Sequence, residues 1–171
     1  MSALVTARAV QLASAIAVIA LDRVTKSMVD TRMAIYESIT VVPGLFDLTY
    51  VRNPGGVFGL FRNLDTGIRG LLFTVVPVTA ILLIVVYALK LPAGRTLTQS
   101  SLTLILGGAV GNLYDRLRFG YVIDFLDFYW QNHHWPAFNI ADSAICVGVA
   151  ILIGETMLGA DHERSPAKDT T

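Results

Sequence analysis

Two aspartates stand where a carboxylate is hard to keep charged. Asp124 lies in Gly120-Tyr121-Val122-Ile123-Asp124-Phe125-Leu126, with apolar neighbours on both sides. Asp142 lies in Phe138-Asn139-Ile140-Ala141-Asp142-Ser143-Ala144, where an apolar stretch begins. Two carboxylates brought close together cannot both ionise easily, so they share a proton. One can then act as general base on a water while the other acts as acid toward a carbonyl oxygen. That chemistry hydrolyses a peptide without a metal or a covalent intermediate. For Asp142 an N-cap role, favoured by the helix dipole, is the alternative. Asn139 is the better cap by position, which leaves Asp142 about one turn inside the helix. Gly120 permits a sharp turn that can aim the Asp124 segment back toward the bundle.

A second charged pair, Asp22 and Lys26, is four residues apart and so shares one helix face. It reads either as an ion pair near the membrane surface or as part of a site. Other chemistries fit less well. His133 and His134 are adjacent, which does not place both on one helix face as metal ligands. Cys146, the single cysteine, lies among Ala144, Ile145, Val147 and Gly148, where a thiol packs inertly. Ser143 has no candidate His base nearby. The glycines of Gly107-Gly108-Ala109-Val110-Gly111 sit in an apolar stretch and suit close helix packing better than phosphate binding.

The elements that position these residues are membrane elements. Of 171 residues, 54% are hydrophobic and only 15% charged, with a mean hydropathy of +0.60. A soluble domain carries roughly 25% charge, so this chain cannot cover a water-facing surface. Thirteen basic residues balance thirteen acidic ones, with no basic block, which excludes an electrostatic footprint for nucleic acid. Four stretches, at about 7–29, 68–89, 97–113 and 138–158, approach the roughly 20 apolar residues a spanning helix needs. The first resembles a signal peptide but runs into Asp22-Arg23-Val24-Thr25-Lys26 rather than a cleavage site, so it reads as a retained helix. Four spans put both termini on one side, and the density of basic residues in the short head, loop and tail makes that side the cytoplasm.

Between the first two spans, residues 36–42 and 45–51 are rich in β-branched and aromatic side chains and are separated by Pro43-Gly44. They predict a small extracytoplasmic β-sheet, in an outer β segment of about 36–62. The other outer segment, 116–136, is strongly aromatic. It reads as an interfacial belt or as a platform for a lipid-embedded substrate. Residues 1–160 form one domain, and 161–171 a flexible, polar, cytoplasmic tail.

Five blocks, in order, resemble the lipoprotein signal peptidase family, the type II signal peptidases of bacteria. They are Asp22-Arg23-Val24-Thr25-Lys26, Asn53-Pro54-Gly55-Gly56-Val57-Phe58-Gly59, the run from Gly107 to Arg116, Gly120-Tyr121-Val122-Ile123-Asp124-Phe125, and Phe138-Asn139-Ile140-Ala141-Asp142. The resemblance implies an all-α membrane protein: four transmembrane helices, a small extracytoplasmic sheet and a mobile outer interfacial helix or loop. It implies an aspartyl endopeptidase of the bacterial inner membrane, with its site near the extracytoplasmic face. Asp124 and Asp142 match the catalytic aspartates. Asp22, Lys26, Asn53, Gly108, Asn112, Arg116, Asn139 and Ala141 match positions that line or support the site. The implied substrate is a diacylglyceryl-modified prolipoprotein, cut just before its lipidated cysteine. Membrane lipids are the surroundings and the cyclic peptide globomycin an inhibitor; no metal or cofactor is needed, and a monomer is expected. The Pro54-Gly55-Gly56-Val57 run departs from the family pattern, where small residues such as Ala more often follow the glycine.

Two other readings remain from the residues themselves. A proton-coupled transporter would use Asp22, Lys26, Asp124 and Asp142 as a relay, with polar groups through the depth of the membrane. An assembly factor would use the aromatic loops as a partner surface.

Overall fold

The computed structural model describes residues 2–55, 65–92 and 95–163. Four helices and four short strands follow in the order α1 (Ser2–Arg32), β1 (Ser38–Val42), β2 (Phe46–Asn53), α2 (Thr66–Lys90), α3 (Thr96–Phe119), β3 (Val122–Trp130), β4 (His133–His134) and α4 (Ile140–Glu163). α3 is the hub: it packs against α1, α2 and α4. Glycines on α3 make that possible. A Cβ on Gly107 would press on Val18 of α1, and one on Gly108 would collide with the Ala141 carbonyl of α4. Close packing therefore explains the glycine run.

The helices carry their apolar side chains outward. Leu71, Leu72, Val75, Val76, Leu82, Leu83 and Leu89 of α2 are exposed, as are Val147, Val149, Ile153 and Met157 of α4. Gly70–Lys90 and Ile140–Met157 are long and apolar enough to cross a membrane. α1 and α3 lie where the first and third spans are expected, but run longer, and apart from Arg8 their charged residues lie toward the sheet. Pro77 is accommodated inside α2.

The sheet is larger than the hairpin read from the sequence. The strands pair antiparallel in the order β1-β2-β3-β4. The outer segment after α3 is thus mainly strand rather than an aromatic loop. The reason is local: Val122-Ile123-Asp124-Phe125-Leu126 has β-branched and apolar residues that fit a buried strand, and β2 offers it an edge. Gly120, at φ 79°, ends α3 with its N–H on the Arg116 carbonyl and turns the chain into β3. Val29 at the end of α1, Tyr50 of β2, and Ile123 and Phe125 of β3 form the core between helices and sheet. The Tyr50 hydroxyl donates to Asp30, tying β2 to α1.

The β segment expected to reach 62 extends as strand only to Asn53. Residues 56–64, and with them Gly56 to Gly59, lie outside the described residues. An outer helix does not occur among the described residues. Of the tail expected at 161–171, residues 161–163 belong to α4, and the rest lies outside the described residues.

Candidate active site

Asp124 and Asp142 reach one site from different elements. Asp124 is buried on β3, beside β2. Asn53, the last residue of β2, donates from Nδ2 to Asp124 Oδ2 at 2.9 Å. Asn139 donates from Nδ2 to Asp124 Oδ1 at 2.7 Å. Asp142 is the third residue of α4, half-buried, with Asn139 as the N-cap. The Asp142 N–H donates to Asn139 Oδ1 at 2.9 Å, and the Asn139 N–H donates back to Asp142 Oδ2 at 3.2 Å. This is a capping box with aspartate in place of the usual Glu or Gln. Asn112 of α3 donates to Asp142 Oδ1 at 2.7 Å. Capping and facing the site are therefore not alternatives for Asp142. The cap fixes its carboxylate.

Asn139 touches both aspartates, and its Nδ2 also approaches Asn112 Oδ1 and the Ile123 carbonyl at 3.3 Å each. Each carboxylate thus accepts two amide N–H groups. Among the described residues, neither forms an ion pair. Burial, and next the charge of Asp142, push the Asp124 carboxyl up to about 7, against the hydrogen bonds from Asn53 and Asn139 and the charge of Lys26. The site therefore keeps a proton near neutral pH.

One turn away, the partners are charged. Lys26 and Asp22 of α1 and Asp115 of α3 are fully buried. The Lys26 ammonium lies 2.8 Å from Asp22 Oδ2 and 2.8 Å from Asp115 Oδ2, and donates to Asn112 Oδ1 at 2.9 Å. Three oxygens, two of them on carboxylates, therefore surround the ammonium. Arg23 pairs with Asp115 and stacks over Tyr114. Asp22 Oδ1 accepts the Ala141 N–H at 3.0 Å, which holds the first turn of α4 against α1. Gly111 faces Asp22 and Ala141.

All ten residues singled out from the sequence lie in or against these two clusters. Asp115 and Arg23 are members the sequence reading did not single out, and a signal for Asp115 existed. Gly108, Gly111, Asn112 and Asp115 fall at i, i+3, i+4 and i+7, one face of α3. A buried ammonium also needs more acceptors than one carboxylate supplies.

Arg116 approaches from α3. Its guanidinium lies over the Phe73 ring of α2 at 4.8 Å, and its charge acts on Asp124, Asp142 and Asp115. Its Nη1 is buried without a hydrogen-bond partner among the described residues. At the far end of the helices, Gln11 donates to Gln99, and Thr98 to Glu155. On α3 this polar group is separated from Asn112 by Leu104-Ile105-Leu106-Gly107-Gly108-Ala109-Val110-Gly111, so the polar side chains form two poles rather than a relay.

Known proteins are similar to this chain in sequence and in fold. A family model described as signal peptidase (SPase) II matches residues 14–158. The lipoprotein signal peptidase of Geobacter metallireducens is 50% identical over 149 residues, 87% of this chain and 89% of that one. That of Syntrophus aciditrophicus is 45% identical over 148 residues, 86% and 91% of the two chains. A solved structure described as a bacterial membrane enzyme, obtained by the in meso method at 2.3 Å resolution, superimposes with a TM-score of 0.79 at 28% identity over 95% of each chain. Agreement that runs from the first helix to the fourth, at half identity over most of the length, means that the chain belongs to the signal peptidase II family.

Proposed function

We propose that this chain is a membrane aspartic endopeptidase that removes signal peptides from prolipoproteins, with Asp124 and Asp142 as its catalytic pair. The observation that carries the pair is its partnering. These two carboxylates, Asp124 buried and Asp142 half-buried, are held by amides and not by cations, and Asp124 retains a proton up to about pH 7. The protonated member donates to the scissile carbonyl oxygen, and the ionised member takes a proton from the attacking water. Asn53, Asn112 and Asn139 hold the two carboxyl groups in place without adding charge. Arg116 offers Nη1 to a substrate oxygen, a charge-assisted bond.

In this reading all four helices cross the bacterial inner membrane. Both termini are cytoplasmic, and the sheet lies on the extracytoplasmic side. The substrate carries a diacylglyceryl group on its cysteine and is cut just before it; globomycin inhibits the reaction. A site at the sheet end of the bundle, beside outward-facing apolar helices, suits a substrate that arrives laterally in the lipid.

The test is cleavage in detergent of a synthetic prolipoprotein, lipidated and unlipidated, by the wild type, Asp124→Asn and Asp142→Asn. The wild type should cut the lipidated peptide, and each folded variant should lose at least about a thousandfold in rate. A variant that retains near-normal activity would remove its aspartate from the mechanism. Equal cutting of both peptides would overturn the lipidated-substrate assignment.

A further inference from the structure

α2 is the least integrated helix. Between Gly70 and Lys90 none of it is fully buried, and among the helices it packs against α3. Phe73 is its point of entry to the site, and the ring does two things there. One is at Gly55, which has φ 128°, a conformation that glycine tolerates and L side chains rarely adopt. A Cβ on Gly55 would strike the edge of the Phe73 ring, so ring and backbone are in close contact. The Gly55 N–H donates to Asn53 Oδ1 at 2.9 Å. With its oxygen engaged there, the Asn53 amide presents its nitrogen to Asp124. The other is at Arg116, whose guanidinium lies over the ring at 4.8 Å. A cation held on an aromatic face spends none of its N–H groups.

We infer that Phe73 is a positioning residue of the reaction: its ring sets the Asn53–Gly55 turn on one side and the Arg116 guanidinium on the other, relative to the two aspartates. The inference rests on the aspartate pair being catalytic. It gives α2 a part in the chemistry beyond crossing the lipid. A misplacement of about 1 Å of groups that orient substrate can cost on the order of a hundredfold in rate.

The experiment compares Phe73→Leu, Phe73→Tyr and Phe73→Trp with the wild type, in detergent, on the lipidated peptide. Thermal unfolding verifies that each is folded, and Asp124→Asn runs alongside. Phe73→Leu keeps an apolar side chain, smaller than the original, but loses the aromatic face. It should lower kcat about tenfold or more with KM changed less than about threefold. The aromatic variants should stay within about threefold of the wild type. The alkaline limb of the kcat profile should move to higher pH in Phe73→Leu. Asp124 faces Asp142 from α4, Lys26 from α1 and Arg116 from α3. Loss of the Asn53 bond and retreat of the Arg116 charge both favour its protonated form. In a double-mutant cycle, Asn53→Ala should cost less on top of Phe73→Leu than alone. Unchanged kcat and pH limb in Phe73→Leu, an equal loss in Phe73→Tyr, or strict additivity with Asn53→Ala would overturn the inference. If those results appear while Asp124→Asn is inactive, the aspartate reading stands and only the role of Phe73 fails. If Asp124→Asn is active, the aspartate reading itself fails.

Discussion

Two clusters of carboxylates share the sheet end of the helices, joined through one side chain, and they are partnered in opposite ways. Asp22 and Asp115 face Lys26, and Asp115 also pairs with Arg23, so two anions meet two cations. Asp124 and Asp142 face amides. A cation at contact distance favours the ionised carboxylate. An amide holds it in place but leaves its charge to be decided by burial and by its neighbour. The first cluster is suited to holding α1, α3 and α4 together, the second to gaining and losing a proton. Replacing an aspartate of the second cluster by Asn should therefore abolish cleavage by at least about a thousandfold and leave the fold intact. The cleavage assay together with thermal unfolding checks both halves of that expectation.

The same substitution logic in the first cluster should strike the fold. Lys26→Met leaves Asp22 and Asp115 buried without their shared cation. Breaking a buried pair by removing one partner costs about 3–5 kcal/mol. The variant should unfold at a markedly lower temperature in detergent, and its activity should fall with its folded fraction. Adding Asp22→Asn should recover part of the stability, because it removes the charge left without a cation, whereas Asp115 keeps Arg23. Full stability in Lys26→Met would erase the distinction between the clusters.

The pH dependence of stability separates them again. The Asp124 carboxyl lies at about 7 in the folded protein, against about 4 in an unfolded chain. The folded state holds a proton that the unfolded state releases, so this favourable contribution is complete below about pH 4 and is lost as pH rises through about 7. Asp124→Asn has no such proton. Its free energy of unfolding should match the wild type near pH 4 and exceed it at pH 8, by a difference on the order of a few kcal/mol. The rate should decline over the same interval in the wild type, as the pair loses its acid.

The sequence was most legible where a single residue type does one job. Apolar stretches located the four helices, Pro43-Gly44 located the hairpin, and Asp22 with Lys26 at i, i+4 are indeed paired. It was less legible where partners come from elsewhere in the chain. β3 hides in an aromatic segment whose strand character depends on the edge that β2 provides. Asp115 looked like one charge among several at the end of α3, because its partners, Lys26 and Arg23, lie on α1. Phe73 is one apolar residue among many on α2, and only Gly55 and Arg116 around it set it apart. Local pattern carries the elements, and long-range pairing carries the site.

Asn112 is the joint between the two clusters, and it provides the finest test of their difference. Its Oδ1 accepts from Lys26, and its Nδ2 donates to Asp142. Asn112→Ala removes both bonds and leaves a donor of Lys26 unsatisfied, at about 1–3 kcal/mol. It should lose some stability and some activity together. Asn112→Asp divides the effects. A carboxylate keeps an acceptor for Lys26, so stability should recover. It offers Asp142 no donor when ionised, so activity should stay low at neutral pH. On the acid side its protonated form can donate as the amide does, and the rate should rise there toward that of the wild type. Rates and unfolding temperatures of the two variants between pH 5 and 8 decide the matter. If stability and activity recover together in Asn112→Asp at neutral pH, the amide is no more than an acceptor for Lys26, and the division between a charge-paired cluster and an amide-held one loses its functional meaning.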